Sequence, residues 1–342
     1  WQCNRNKIIM RRVFYILIIL ITNHVANCQD AHLSQYYAAP LYLNPGMTGM
    51  IDQDYRISMN YRSQWRSVTV PYVTTAISYD MRSRKKFGIG GMFLHNSAGD
   101  GNFNVINGLI SGSYQFTLDT NKNHRVSIGI QGGIIHKSID WYQLLFGNQY
   151  DRGNGGGINS SLDPGIALLT SNVTVPDLNF GAMYYFAKLN SMLNPFLGGS
   201  VYHITRPNES FFEEDIKIPR KYNAHVGMKI NVSPMFQLSP LVSYMRQEKF
   251  NDVAVNVISD YYLKDSDAYL ILGSTYRTTR HIDAIILHTG LRKGKFIYRL
   301  SYDVNASILT SLSSGRGGIE FSVQYLGFLM PRIPKFSCPR LQ

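Results

Sequence analysis

Charged residues are scarce in this sequence: Asp, Glu, Lys and Arg make up 16% of the 342 residues, whereas about a quarter is usual in soluble domains. The three cysteines are too few for a disulfide-stapled scaffold, and no Cys/His cluster has zinc-ligand spacing. Helical periodicity is nearly absent, and the 44% hydrophobic content excludes intrinsic disorder. A chain with so little charge but 23 Tyr, 17 Phe and 29 Gly is expected to form a large all-β core or to face lipid.

The first 28 residues have the pattern of a secretory signal peptide. Four basic residues and no acidic one come before an apolar run at positions 13–21. This run is too short to span a bilayer as a helix, which needs about 20 apolar residues. Met10 is the expected translation start, and cleavage after Cys28 would lower the net charge from +12 to +8. The alternative is a lipidated Cys28, which the preceding Asn27 disfavours.

Alternation with period two recurs along the body of the chain. Between positions 55 and 62, apolar and aromatic residues at odd positions oppose polar residues at even positions. Such runs predict about fourteen strands of roughly ten residues, the length of a tilted membrane-spanning strand. The predicted strands begin near Asp54, Tyr72, Lys86, Asn104, His124, Pro176, Asn194, Arg220, Phe236, Val253, Ala268, Asp283, Lys295 and Arg316.

Connection lengths favour a membrane barrel over a soluble antiparallel sheet, which remains the alternative. The predicted turns on one side are short, while the two longest connections, His136 to Val175 and Pro207 to Pro219, fall on the other. Short periplasmic turns and long outer loops are typical of outer-membrane barrels, and an even strand count places both termini in the periplasm. We therefore predict an all-β fold, a transmembrane antiparallel up-and-down β-barrel at 54–328 in the cell outer membrane.

Aromatic residues at predicted strand ends suit the girdles that such barrels form at the membrane interfaces. These residues are Tyr61, Tyr79, Tyr114, Tyr184, Tyr185, Tyr244, Tyr325 and Phe328.

Several motifs resemble those of a known family. The stretch at 30–45, Asp-Ala-His-Leu-Ser-Gln-Tyr-Tyr-Ala-Ala-Pro-Leu-Tyr-Leu-Asn-Pro, resembles the opening of mature PorP/SprF proteins of the type IX secretion system in Bacteroidota. The motifs Asn-Tyr-Arg-Ser-Gln-Trp at 60–65, Pro-Tyr-Val-Thr-Thr at 71–75 and Ser-Tyr-Asp at 78–80 are similar to the family too, as is the ending at 301–340. The resemblance covers essentially the whole mature chain.

The departures from the family pattern are local, at Ala31, Leu33 and Arg66. The resemblance implies an outer-membrane barrel of the type IX secretion and gliding-motility machinery, with no enzymatic activity and no cofactor. Members support delivery or retention of large surface proteins, including gliding adhesins, whose C-terminal signal domains they are thought to bind. Other members associate with periplasmic ring and motor components. These proteins and outer-membrane lipid are the expected partners.

Candidate catalytic and ligand-binding patterns have simpler explanations. His225 and His288 fall near strand middles and Ser243 and Ser301 on polar faces, but no local motif joins them into a triad. The Gly-rich stretch at 151–157 lacks the Lys-Ser/Thr of a phosphate-binding loop. Nucleic-acid binding is not expected, because no basic cluster is interleaved with stacking aromatics. No catalytic, cofactor or metal residue is predicted.

Five basic residues are assigned to polar faces of predicted strands. They are Arg56, Arg62, Lys229, Arg246 and Arg299. They would either attract an acidic polypeptide segment or pair with Asp303, Glu320 and their neighbours, and we favour the second interpretation. The candidate partner-binding residues are Tyr36, Tyr37, Tyr42, Asn44, Pro45, Arg62, Trp65, Trp141, Arg246 and Arg299.

Two stretches outside the strands, 29–53 and 329–342, are expected to be periplasmic. Fourteen strands enclose more space than eight, whose side chains fill the interior, so 29–53 is either a plug in the lumen or a docking strap beneath the barrel. The leading hypothesis is a non-enzymatic secretion barrel whose outer loop from His136 to Val175 engages an exported surface protein. The alternatives are a diffusion porin constricted by that loop and, more weakly, a barrel hydrolase.

Overall fold

A computed structural model describes the chain from residue 29 to residue 329, with short gaps. The gaps are at 67–69, 84–85, 100, 122, 152–155, 164, 166–169, 189–190, 213, 280–281, 307–309 and 311–314. The expected signal peptide, the alternative at Cys28 and nearly all of the expected C-terminal tail lie outside the described residues. In the described part, no helix combines the length and the apolar character needed to cross a membrane.

The described chain is built almost entirely of strands. The strands are β1 (Tyr55–Gln64), β2 (Tyr72–Ser83), β3 (Phe87–Ala98), β4 (Phe103–Thr117), β5 (His124–Ser138), β6 (Tyr150–Asp151), β7 (Gly157–Ile158), β8 (Asn172–Phe186), β9 (Leu193–Tyr202), β10 (Lys221–Ser233), β11 (Phe236–Gln247), β12 (Phe250–Leu263), β13 (Ala268–Thr278), β14 (Ile282–Lys293), β15 (Phe296–Asn305) and β16 (Arg316–Gly327). The helical turns are α1 (Pro40–Leu43) and the 3-10 turns Tyr36–Ala38, Pro45–Met47, Trp141–Gln143, Gly147–Gln149 and Lys264–Ser266.

Fourteen of these strands form a closed antiparallel barrel, while β6 and β7 form a separate two-residue hairpin. Each barrel strand pairs with its neighbour along the chain, and β1 closes the wall by pairing with β16 from Tyr55↔Gly327 to Gln64↔Gly318. The predicted fourteen-stranded barrel is confirmed. The largest difference in strand starts is at β8, which begins at Asn172 rather than near Pro176. At these first residues the polar side chains of Asn172 and Thr174 are exposed and Val175 is buried, which reverses the apolar-outward pattern used to find the strands.

The two faces of the wall differ in chemistry as predicted. On β1, Ile57 and Met59 are 41% and 44% exposed, whereas Arg56 and Asn60 on either side of this pair are 1% exposed. Apolar residues therefore point outward and polar residues line the lumen. A surface of exposed apolar side chains around a closed barrel is the surface that faces lipid.

Two residues face the opposite way from the prediction. Arg246 lies on the outward face of β11 with Val242 and Tyr244, because Leu241 occupies the inward position and the polar character of that strand does not alternate cleanly. Tyr185 is not a girdle residue: it points inward, is 2% exposed, and donates its hydroxyl to Gln115 Oε1 over 3.3 Å.

The barrel wall is uneven in height. Strands β4, β5 and β8 have 15 residues each, whereas β9 and β15 have 10. The long connections at 139–171 and 203–220 lie at the same end of the barrel, here called the loop end. Residues 54 and 328 lie at the other end, here called the turn end, with short turns such as those joining β10 to β11 and β14 to β15. The loop end of such barrels is extracellular.

Candidate functional site

Residues 31–53, here called the lumen segment, lie inside the barrel. They form two 3-10 turns, at 36–38 and 45–47, on either side of the four-residue α1. Helical turns this short are unstable alone, so their conformation depends on packing against the wall. The buried apolar side chains are Leu33, Tyr37, Ala38, Ala39, Leu41, Leu43, Met47 and Ile51.

The lumen segment contacts every strand of the wall. Hydrogen bonds or ion pairs connect it to β1, β2, β4, β5, β8, β9, β10 and β12 to β16. Strands β3 and β11 contribute Leu94, which clusters with Leu33, and Leu241, which clusters with Tyr37. The segment thus crosses the lumen and touches the wall on all sides.

The first part of the lumen segment binds two carboxylates near the loop end. The Ser34 amide donates to Glu320 Oε2 over 2.6 Å, and the Ser34 hydroxyl donates to Asp303 over 2.7 Å. Gln35 donates from its amide to Glu320 and is completely buried. Arg62 on β1 supplies positive charge beside these two carboxylates. Its Nη2 donates to Asp303 Oδ2 over 2.8 Å, and its Nη1 donates to the His32 carbonyl over 2.6 Å. The same arginine therefore joins wall and segment.

The last part of the lumen segment is held by a second ion pair near the turn end. Arg56 on β1 donates from Nε and Nη2 to the two carboxylate oxygens of Asp80 on β2, both over 2.9 Å. Asp80 also accepts the Gly49 amide over 2.7 Å, and Arg56 reaches the Met47 carbonyl at 3.4 Å. Bidentate pairs of this kind fix geometry as well as charge. This pair is here called the Arg56–Asp80 clamp.

The 3-10 turn at 45–47, together with the preceding Asn44, packs directly against the wall. Asn44 caps the 3-10 turn by accepting the Gly46 amide over 2.8 Å, and its Nδ2 donates to the Ala182 carbonyl over 2.9 Å. A Cβ added at Gly181 would lie 2.0 Å from Asn44 Oδ1, and one at Gly129 would lie 2.2 Å from the Pro45 carbonyl oxygen. Only glycine permits this close approach of the lumen segment to the backbone of the wall.

Two tyrosines of the lumen segment face wall cations. Lys221 Nζ lies 4.4 Å from the centre of the Tyr42 ring, and Arg299 Cζ lies 5.6 Å from that of Tyr37. The Tyr37 hydroxyl is 3.3 Å from His288 Nδ1. Burial raises the pKa of Tyr37, so the phenol remains protonated. These cation–π contacts gain strength from exclusion of water.

A small cavity of about 50 Å³ remains beside the start of the lumen segment. It is lined by His32 and Tyr36 and by β10 to β14. His32 Nδ1 lies 3.2 Å from Asp252 Oδ2. Burial, and then the positive charge of Arg277, lower the pKa of His32, so the imidazole beside Asp252 is neutral at neutral pH.

The long connections meet above the tall side of the wall. Trp141 packs edge-to-face on Phe211 and also contacts Phe212, with ring centres 5.9 Å apart in both cases, and Phe103 lies 6.4 Å from Phe211. Below them, Ile218 is buried against apolar side chains of β4, β5 and β8. The connection at 203–220 therefore folds inward over part of the barrel mouth.

The candidate residues from the sequence separate into two groups. The lumen contains Tyr36, Tyr37, Tyr42, Asn44, Pro45, Arg62 and Arg299. The other three are elsewhere: Trp65 packs edge-to-face on Tyr72 with ring centres 5.0 Å apart beyond the end of β1, Trp141 lies in the loop cluster, and Arg246 faces outward.

Sequence reasoning did not select four polar residues that hold the lumen segment. These are Ser34, Gln35, Asp80 and Lys221. Their inward position on alternating strands, or their place in the opening motif, is the only signal that the sequence offers. In the described part of the chain, no group of three His, Cys, Asp or Glu side chains is arranged to hold a metal ion.

Fold and lumen together define a multi-pass outer-membrane β-barrel. The chain is similar to the solved structures of the toluene transporter TbuX of Ralstonia pickettii (10% identity, 85% of this chain and 94% of that chain, TM-score 0.51) and of the toluene transporter TodX of P. putida (9% identity, 84% and 93%, TM-score 0.50), which share its fold. The chain belongs to the PorP/SprF family: the sequence model of the type IX secretion system membrane protein PorP/SprF matches residues 25–325. Comparison with curated proteins gave no match.

Proposed function

We propose that this barrel supports the export or surface attachment of one large adhesin-like protein by the type IX secretion system, and that it catalyses no reaction. In this proposal the long connections at 139–171 and 203–220 engage the C-terminal signal domain of the exported protein. The turn end contacts periplasmic ring and motor components, and the outward face contacts lipid. Membership of the PorP/SprF family supports this assignment.

The observation that carries the proposal is the occupied lumen. A diffusion porin needs a continuous aqueous path, and fourteen strands can enclose one only if nothing fills them. Here the lumen segment touches all sides of the wall and is fastened by buried charges at Asp303, Glu320 and Asp80. Passage of a small solute would require this segment to leave. The occupied lumen therefore favours a protein-handling role over the porin alternative.

Planar-bilayer recording tests the choice between these two functions. The purified wild-type barrel is expected to show no steady conductance, while a variant lacking residues 31–53 is expected to show stable ion steps. The variant's folding is checked by its heat-dependent mobility on SDS gels. Large stable steps from the wild-type barrel would contradict the proposal and favour the porin.

Gene deletion tests the secretion role in cells. We expect loss of surface display of one exported protein, restored by the wild-type gene, with no change in small-solute uptake. A defect in uptake with normal surface display would overturn the proposal. A neighbouring gene for a very large repetitive secreted protein would identify the first candidate to examine.

A further inference from the structure

The lumen segment begins near the loop end of the barrel. The His32 carbonyl accepts a hydrogen bond over 2.6 Å from Arg62, the third residue from the loop end of β1. His32 Nδ1 also lies 3.2 Å from Asp252, the third residue of β12 counted from the loop end. Ala31, which precedes His32, lines the same cavity. Since the loop end of such barrels is extracellular, the first residues of the segment lie near the outer side of the membrane.

The last part of the lumen segment lies at the turn end. Arg56, the second residue of β1 from the turn end, donates from Nη2 to the Met47 carbonyl over 3.4 Å. The Gly49 amide donates over 2.7 Å to Asp80, which pairs with Arg56 across the β1–β2 ladder. The chain then enters β1 at the turn end. A single strand, β1, therefore holds the beginning of the segment near one of its ends and the last part near the other.

The spacing of these contacts gives the length of the crossing. The two arginines of β1 are six residues apart, which corresponds to about 20 Å along an extended strand. With a strand tilt of about 40°, this is about 15 Å along the membrane normal. Strand β16 shows the same direction, because the Ser34 amide donates to Glu320 and the Ala38 carbonyl accepts from Gln324, four residues nearer the turn end. The segment therefore runs from the loop end toward the turn end.

The lumen segment adds one crossing to the fourteen strands of the wall. Fourteen crossings alone would leave both ends of the wall on the periplasmic side. With the segment the number of crossings is odd, so the chain before Ala31 and the chain after β16 lie on opposite sides of the membrane. The His32 side chain is 28% exposed, so this end of the segment is open to solvent.

We infer that the lumen segment crosses the outer membrane from the extracellular side to the periplasmic side, so that the residues just before Ala31 are displayed at the cell surface. This inference is independent of the proposed function, because it follows from the direction of the segment in the lumen. It adds an extracellular site to the long connections at 139–171 and 203–220, one that a surface protein or a protease can reach. In the competing arrangement the segment leaves the lumen and the same residues lie in the periplasm.

Labelling of intact cells with a membrane-impermeant maleimide tests this direction. The substitution Asp30→Cys places a thiol just before the lumen segment, in a Cys338→Ser background that serves as the unlabelled parent. Folding is checked by heat-dependent mobility on SDS gels. Asp30→Cys is expected to be labelled in intact cells, and permeabilising the outer membrane is expected to leave its labelling rate unchanged.

Two exposed positions in the same background are the controls. Tyr142→Cys, at a 100% exposed residue of the loop end, is expected to be labelled in intact cells. Lys293→Cys, at an exposed residue of the turn end, is expected to be labelled only after permeabilisation. Asp30→Cys that behaves as Lys293→Cys does, or that is labelled only after unfolding, would overturn the inference. If Asp30→Cys does not fold, His32→Cys is measured instead, and the same outcomes decide.

Discussion

The Arg56–Asp80 clamp gives the most direct test of how the lumen segment is held. Replacing Arg56 by Met keeps much of the side-chain volume and removes the charge. Asp80 is then left with the Gly49 amide alone, at a position where its side chain is 0% exposed and that of Arg56 is 2% exposed. Removing one member of a buried ion pair leaves an uncompensated charge, which destabilises by about 3–5 kcal/mol.

Urea unfolding of the barrel in detergent micelles measures this loss. With a denaturant slope of about 3 kcal/mol per M, the Arg56→Met midpoint is expected to fall by about 1 M or more. The variant Arg56→Met/Asp80→Leu removes both charges and leaves only the Gly49 amide without its acceptor, which costs about 1–3 kcal/mol. The double variant is therefore expected to be more stable than Arg56→Met alone.

The double-mutant cycle also defines the result that would refute this reasoning. Contacting charges show coupling energies of about 0.5–3 kcal/mol, whereas independent sites are additive. If the effects of Arg56→Met and Asp80→Leu simply add, the two side chains do not act as a pair. If Arg56→Met unfolds at the wild-type urea concentration, the clamp does not stabilise the lumen segment.

Two further predictions concern the wall and the loops. Gly129→Ala places a Cβ 2.2 Å from the Pro45 carbonyl oxygen and is expected to destabilise the barrel by about 1–3 kcal/mol. Gly112→Ala is the control, because a Cβ there would have no atom within 4 Å, and it should leave the urea midpoint unchanged. Equal midpoints for the two variants would contradict the close approach. Trp141→Ala removes the ring that joins the two long connections and is expected to speed proteolysis of 139–171 severalfold. Tyr142→Ala is the control, because Tyr142 is 100% exposed, and it should not change the cleavage rate. Equal cleavage rates for the two variants would contradict a stabilising role of the aromatic cluster.

The wall could be predicted from the sequence because its signal is local. Alternation along a strand such as Tyr55–Gln64 reports directly which side chains face lipid and which face the lumen. The prediction was wrong at Arg246, where inward Leu241 and Met245 remove the contrast between the two faces. It was also wrong at Tyr185, where an aromatic near a strand end packs on the lumen segment instead of the membrane interface.

The site could be predicted only in part, because its partners come together through barrel closure. Arg62 and Asp303 are far apart in sequence and lie on β1 and β15, which become near neighbours only when β1 pairs with β16. The sequence left residues 29–53 open between plug and strap, since their composition suits either position. The contacts that hold 31–53 come from inward residues of many strands, and the pairs that come into contact cannot be identified from one sequence.

The low charge and high aromatic content follow from a barrel of this width. Eight strands can be filled by their own side chains, but fourteen leave a space that side chains alone do not fill. The lumen segment supplies the missing layer, and its Tyr36, Tyr37 and Tyr42 occupy that space while other aromatics face outward. The inward residues are polar because this inner layer is joined to the wall by hydrogen bonds, so charges such as Arg62, Asp303 and Asp80 have specific partners there. A barrel with an open channel would need no such pairing between its wall and its own N-terminal residues. The buried hydrogen-bond network from Ser34 to Asp80 is therefore the physical reason for expecting a barrel that conducts no ions.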